Sequence, residues 1–360
     1  GEGLASGPGL GGKPSEDPRH QLPFVQEVQR HFGAALSAIY QLGLAETLVD
    51  EAAWYISTLA WHGLSPAGIR RMIEAWSIAI YSTIKPPEAD ELVAPIRWIR
   101  LNLERLSERT REAGTGEAEG IGGTFPTTGP ASTPEPPGTP RTRKPRPGQS
   151  PELTALMGLV LDKRRREATD YVLNLARNGR SVGTLQAHLF APTLREIGLL
   201  WQRGEITAAD EHAATEICRY VLFRLLDDLP REARLPHTAL VAAVTGEEHA
   251  FGAEILAGYL DLKGWNTVFL GRSAPAEDIV EAARSTGCQA VFLSVGLIAN
   301  LPAAISLAQA LRRLPIHPKV IIGGRAAEAA GEALARYCDA VIEDLEDAHI
   351  QALRMLGSHA

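Results

Sequence analysis

The chain is poor in cysteine. Cys218, Cys288 and Cys338 lie far apart in 360 residues and form no CxxC pair. Their odd number argues against a disulfide framework and fits a reducing compartment. An excess of positive charge is also missing. The 36 Lys and Arg stand against 43 Asp and Glu, a net charge of −7, so no global positive field is there to hold nucleic acid by counterion release. Nucleic acid is therefore not expected as a partner. No uninterrupted apolar run approaches the roughly 18 residues of a membrane span, and no charged-then-apolar leader opens the chain. The expectation is a soluble, cytoplasmic protein with no membrane partner. What the chain does have is bulk: 45% hydrophobic residues are enough for more than one core, and at roughly 150 residues per domain the length suits two to three domains.

Composition divides this length. Residues 1–20, GEGLASGPGLGGKPSEDPRH, are rich in Gly and Pro and lack an initiating Met; they are expected to be a disordered or added tail. Residues 113–150 contain eight prolines and almost no large apolar side chains, which leaves little to offset ordering entropy, and they read as a flexible linker. The basic cluster Arg141, Arg143, Lys144 and Arg146 within it reads as a solvated charge run, with contact to an acidic partner the other reading. Residues 21–112 carry helical periodicity, with Ser65 before Pro66 marking a helix start. This part reads as all-α. It holds Trp54, Trp61, Trp76 and Trp98, four of the six tryptophans, with Tyr40, Tyr55 and Tyr81. Such a set is ordinarily core, and it equally suits a pocket for a flat conjugated ligand.

Residues 151–230 read again as helices, about four of them with Pro192 and Gly204 as punctuation. From 231 to 360 the period changes: five short apolar runs, TALVAAV, NTVFLG, AVFLSV, KVIIGG and DAVIED, alternate with helical segments. That pattern predicts a doubly wound parallel sheet covered on both faces, and such sheets bind ligands at the carboxyl ends of their strands.

The loop after the first run reads Gly246-Glu247-Glu248-His249-Ala250-Phe251-Gly252. A carboxylate two residues before a histidine can accept a hydrogen bond from one ring nitrogen while the other meets a metal. Gly252 lets a ligand approach the helix start. Alone, a histidine at a helix start is more often a capping or solvated residue. Ser294 after the third run and Gly323-Gly324 after the fourth fall at equivalent strand ends and leave space for a ligand tail. Together these residues resemble the signature of the cobalamin-binding Rossmann-like domains: Asp-x-His-x-x-Gly, Ser-x-Leu and Gly-Gly. The resemblance implies that His249 is the cobalt ligand and Glu247 its hydrogen-bond partner. Glu247→Gln is then expected to be milder than His249→Ala, since an amide still accepts one hydrogen bond. Two departures stand out: Glu247 replaces the Asp, and Gly296 stands where Leu or Thr is usual.

Upstream, Trp201 is followed by nine residues and then Glu211-His212, with Thr207 and Asp210 placed to form a capping box. This spacing resembles the four-helix cap of the light-sensing adenosylcobalamin proteins. The resemblance implies that Trp201 packs on the adenosyl group and that Glu211 and His212 hydrogen-bond it. The plainer reading is a core Trp and an exposed charged pair. In the repressors of that family a histidine follows the Trp and can take the upper axial position after photolysis; here the residue is Gln202, with His212 or His188 the nearest substitutes. The aromatic N-terminal part looks unlike a helix-turn-helix domain. It is similar to the globin-like, haem-lacking sensor of the photocobilins, which pair cobalamin with the bilin biliverdin. By side-chain chemistry the propionate partners of such a bilin are sought among Arg70, Arg71, Arg97 and Arg100, and its pyrrole partners in His31 and His62, each of which is more often a solvated or core histidine. No cysteine lies there for a thioether link.

The expected whole is multidomain: a globin-like sensor, a helical cap and a Rossmann-like domain that bind adenosylcobalamin and biliverdin. It is a photoreceptor and not itself an enzyme, a homo-oligomer assembling in a light-dependent way. Nothing resembling an output domain follows the last helix, so an effector is expected elsewhere. The alternatives are a methyl-carrying corrinoid protein of a methyltransferase system, and a DNA-binding repressor, which the net charge and the absence of a recognition helix oppose.

Overall fold

The computed structural model describes residues 18–61, 63–106 and 150–357. The tail to residue 17, His62, and the linker as far as 149 with its basic cluster lie outside the described residues. By mutual contact the chain divides into two units.

The first comprises Gly1–Arg30, Leu48–Arg164 and Thr193–Glu216. Its helices include Leu48–Trp61, Pro66–Thr83, Glu88–Leu101 and Pro151–Leu161. The predicted start at Ser65 is built as expected: its hydroxyl accepts from Gly68 N at 3.1 Å, and Pro66, whose missing N–H costs nothing there, takes the first turn. Mainly aliphatic side chains make the core, with Leu59, Ile69, Ile96 and Ile99 at most 2% exposed and Tyr55 beside them at 5%. The tryptophans do not: Trp61 and Trp76 are half-buried, and Trp54 and Trp98 are each 39% exposed.

The second unit comprises His31–Thr47, Arg165–Pro192 and Ile217–Ala360. Its sheet contains Thr238–Ala243 (β1), Asn266–Phe269 (β2), Ala290–Ser294 (β3), Lys319–Gly323 (β4) and Ala340–Ile342 (β5), in the order β2-β1-β3-β4-β5 with every neighbour parallel. Helices Phe251–Leu262, Ala276–Thr286, Leu301–Arg312 and Arg325–Ala335 connect successive strands, and Leu345–Met355 follows the last. Both faces are covered, so the strands read as unbroken apolar runs; Ala239 through Val244 have no exposed surface. Register aligns Ala243, Ser294 and Gly323 in one row across β1, β3 and β4. The strand order reverses between β1 and β3, which makes the carboxyl ends of these two strands the switch point where a ligand crevice opens.

The helix Ala208–Asp228 meets the sheet's first helix within this second unit. Gly258 allows a close approach, since a Cβ there would lie 2.3 Å from Leu226 Cδ1. Beside it Arg219 Nε donates to Glu254 Oε2 at 2.7 Å, with both side chains under 20% exposed.

Pro192 does not break the cap where sequence punctuation suggested. Val182–Leu185 runs into a π-turn, Gln186–Phe190, and on into Ala191–Gln202, with Ala191 N donating to Gln186 O five residues back. A proline interrupts the ordinary helical ladder, and the wider turn just before it carries the chain past that interruption. Among the described residues no helix is long and apolar enough to cross a membrane, and the three cysteines are free and buried.

Candidate functional site

β1 ends at the switch point, and the turn after it puts Glu247 in the protein interior with no exposed surface. A buried carboxylate is costly unless donors surround it. Five do. Oε1 accepts from His249 N at 3.0 Å and from His249 Nδ1 at 2.7 Å. Oε2 accepts from Gly296 N at 2.8 Å, Leu297 N at 3.0 Å and Asn300 Nδ2 at 3.0 Å. Burial alone would push the Glu247 carboxyl up, but the hydrogen bonds from His249 and Asn300 outweigh it and hold the group down at about 2. The acid is therefore an anion at neutral pH.

That anion fixes the imidazole. With Nδ1 donating to Glu247, any metal must be met by Nε2. The histidine side chain is 69% exposed above its fully buried partner, so it is anchored from below and presented outward. Among the described residues no group of three or more His, Cys, Asp or Glu side chains is placed to hold a metal ion. His249 presents one outward-facing ring nitrogen, Nε2, at the switch point.

Gly252, Ser294, Gly323 and Gly324 fall at the same edge. A Cβ on Gly252 would lie 3.8 Å from Ser294 Oγ, so the start of the helix faces the end of β3. Gly324 has φ +105°, and a Cβ there would lie 2.5 Å from Val295 O; one on Gly323 would lie 2.9 Å from Ile342 Cγ1. The Gly-Gly pair is thus required by the chain's own packing as well as suited to a ligand. Sequence reasoning missed Asn300, which sits in the short 3₁₀ turn after β3. Its only signal was an amide side chain in a loop at a binding edge, and its partner is 53 residues away.

Trp201, Glu211 and His212 lie in the other unit. Trp201 is half-buried near the end of its helix, which Gly204 terminates with φ +67°. The Thr207 and Asp210 capping box is formed, with Asp210 N donating to Thr207 Oγ1 at 3.1 Å and Thr207 N to Asp210 Oδ2 at 3.3 Å. It places Glu211 in the first turn of the helix and His212 just after it, in contact with each other at 2.8 Å. Gln202 has a different fate from a metal ligand. It is 5% exposed, and its Nε2 reaches Ser57 Oγ and Thr58 Oγ1, both at 2.9 Å, on the helix Leu48–Trp61. His188 is exposed on the π-turn. Of the arginines considered for an acidic ligand, Arg100 is engaged by Glu74 at 3.1 Å, Arg70 lies 3.8 Å from Glu104, and Arg97 donates to Tyr81 at 3.3 Å.

Comparison with known proteins bears on the same segments. Residues 237–353 match the B12 binding domain family, and residues 156–226 match a second B12 binding domain model. The chain is 30% identical over 164 residues to the HTH-type transcriptional repressor CarH of Myxococcus xanthus, covering 44% of this chain and 53% of that protein. It is 23% identical over 140 residues to trimethylamine corrinoid protein 1 of Methanosarcina acetivorans, covering 38% of this chain and 65% of that protein. The chain thus spans between half and two thirds of these relatives. The monomethylamine corrinoid protein structure from Methanosarcina barkeri aligns with a TM-score of 0.46 and 18% identity, over 57% of this chain and 98% of that one. Residues 156–226, which are helical, and residues 237–353, which form the parallel α/β part with His249 at its switch point, are thus similar to B12-binding domains.

Proposed function

We propose that this protein is a light sensor that binds adenosylcobalamin, whose cobalt His249 would hold, binds biliverdin through its N-terminal helices, and is not itself an enzyme. The observation that carries the cobalamin part is the buried Glu247 anion holding Nδ1 of an outward-facing imidazole at the switch point. Adenosylcobalamin, when bound, supplies a cobalt–carbon bond that light breaks. The chain's own part is to hold the cofactor and to read the change. In this reading the cap packs as a four-helix bundle, Trp201 stacks on the adenosyl group, and Glu211 and His212 hydrogen-bond it. When these residues lose their ligand, contacts that order the cap are lost with it, and a change of packing shifts the assembly of a homo-oligomer toward a separate effector. The tryptophans of the globin-like N-terminal helices, none of them buried, offer faces for a bilin.

Support for the adenosyl form comes from the Trp201, Glu211 and His212 spacing, and the test is a comparison of cofactors. Trp201→Ala and Glu211→Ala are expected to weaken adenosylcobalamin about tenfold, roughly 1.4 kcal/mol, and to leave methylcobalamin unchanged. Equal losses favour the second reading, a methyl-carrying corrinoid protein, which the similarity to trimethylamine corrinoid protein 1 supports. Green light should change the cobalt spectrum and, by light scattering, the particle mass; a mass identical in dark and light removes the assembly switch.

A further inference from the structure

The two departures from the cobalamin signature meet in space. We propose that Glu247 and Gly296 are a size-matched pair, in which the absence of a side chain at 296 makes room for the longer acid, so that residue 296 is a positioning residue for the imidazole of His249. The proposal rests on the reading of His249 as a cobalt ligand and adds to it a determinant outside the Glu-x-His-x-x-Gly loop.

The geometry is specific. A Cβ built on Gly296 would lie 3.4 Å from Glu247 Oε2, 3.6 Å from Cδ and 3.6 Å from Oε1. The side-chain direction at 296 thus points onto the face of the carboxylate. A methyl group just fits there in van der Waals contact. A Leu or Thr would have to branch from an atom already touching the anion, and a Leu would lay apolar carbon on a group with no exposed surface. The same residue's N–H is one of the donors, at 2.8 Å from Oε2, so position 296 supplies a hydrogen bond and the space that makes it reachable.

An aspartate at position 247 would be shorter by one methylene, about 1.5 Å. It would draw its carboxylate back toward β1, leaving the N–H groups of Gly296 and Leu297 beyond reach and opening room for a side chain at 296. A short acid with a Leu or Thr opposite, and a long acid with a glycine opposite, are therefore two solutions to one packing problem, and each mixed pairing is a misfit. Glu247 facing a leucine at position 296 collides; an aspartate at position 247 facing Gly296 leaves a gap beside a buried anion that has lost donors. Either way the Nδ1 bond that orients His249 is disturbed. Gly296 thus faces the acid, and its difference from the family pattern belongs to the support of the imidazole.

The test is a double-mutant cycle on the full chain, using Glu247→Asp, Gly296→Leu and the two combined, with Gly296→Ala as a fourth variant that keeps the backbone and adds only the methyl group. Two quantities are read: the tautomer of His249 by nitrogen NMR in protein without cofactor, and the affinity for adenosylcobalamin. Each of Glu247→Asp and Gly296→Leu is expected to weaken the Nδ1-protonated tautomer and to lower affinity about tenfold or more, as loss of an orienting partner does. The combined variant should recover most of both, and Gly296→Ala should stay close to the parent. Losses that multiply in the combined variant show independent sites and overturn the pairing, as does a Gly296→Leu protein with parental tautomer and affinity. If Gly296→Leu does not fold, failure of the combined variant to restore folding also overturns it. A parent that binds no cobalamin but shows the tautomer coupling would remove the cobalamin reading and leave the pair standing.

Discussion

Trp265 Nε1 donates to His349 Nδ1 at 3.0 Å in the core between the first and last helices of the sheet domain, where the indole is 1% and the histidine 8% exposed. As an acceptor, that nitrogen must carry no proton. Burial lowers the pKa of His349 below the ordinary histidine value, and the nearby Lys263 charge lowers it further against the opposing pull of Glu232 and Glu346. The sign follows. The neutral form is native, so the stabilisation is fully present above the unfolded histidine range near 6.5. It is lost as pH falls from there through the depressed folded value, because the unfolded chain takes up the proton first. Denaturant unfolding at pH 7.5 and pH 5.5 should show lower stability at the acid end, and His349→Gln, which keeps an acceptor, should flatten the difference. An unchanged slope in that variant would assign the acid sensitivity elsewhere. At the cofactor edge, Glu247→Gln is expected to be more damaging than residue spacing alone implied. Donors face both carboxylate oxygens, so an amide NH₂ must confront at least two of them, at about 1–3 kcal/mol for each buried group left unpaired. Cobalamin affinity and apo stability should both fall; loss of neither would mean the donors reorganise freely. The Glu247 and His249 pair was legible because only one residue, Glu248, separates the groups. Gly296, Leu297 and Asn300 were not, since only the pairing of β1 with β3 brings their loop to the acid.

At the scale of elements, the helix Leu48–Trp61 and the helix end at Gln202 are joined by a small buried polar cluster. Ser57 and Thr58, 0% and 2% exposed, donate their hydroxyls to Trp54 O at 2.8 Å and accept from the Gln202 amide. An amide committed in this way is not available to a metal, which accounts for a glutamine beside Trp201 without giving it a role in ligation. Gln202→Leu removes the two 2.9 Å hydrogen bonds and a longer third one to Trp54 O at 3.4 Å, while the hydroxyls keep Trp54 O, so a loss of about 1–2 kcal/mol is expected, with faster amide exchange in residues 48–61. Parental exchange there would show that the cluster does not hold the two helices together. The strands were readable because parallel strands buried on both faces appear as apolar runs between Gly and Pro signals. The π-turn before Pro192 was not, because a turn of one extra residue leaves no mark in composition and the proline alone suggested a break.

For the whole molecule, the distribution of aromatic residues separates the N-terminal helices from an ordinary aromatic core. Their interior is mainly aliphatic, with Phe32 and Tyr55 as buried aromatics, while Trp54, Trp98 and Tyr81 are about two-fifths exposed and Ile78 and Leu101 about seven-tenths. Tryptophan placed for packing alone is mostly covered, so the core reading of the aromatic set holds for Tyr55 and not for the four tryptophans. Side chains of this kind left at a surface suit a ligand or partner with an extended apolar face, and in the proposed function that ligand is biliverdin. Added to the full chain, biliverdin should give a shifted, saturable red absorption band and quench tryptophan fluorescence in parallel. Trp54→Ala and Trp98→Ala replace half-exposed side chains and should reduce the band's affinity severalfold while leaving the apo unfolding midpoint nearly unchanged. His249→Ala should leave the biliverdin band in place and abolish the change in the cobalt spectrum, because the two ligands draw on different residues. Quenching without a saturable red band would indicate unspecific adsorption to exposed indoles and end the bilin reading, with the cobalamin site untouched. Were the band to vanish only in His249→Ala, the bilin would depend on an intact cobalamin domain, and the assignment of its site to the N-terminal helices alone would be wrong.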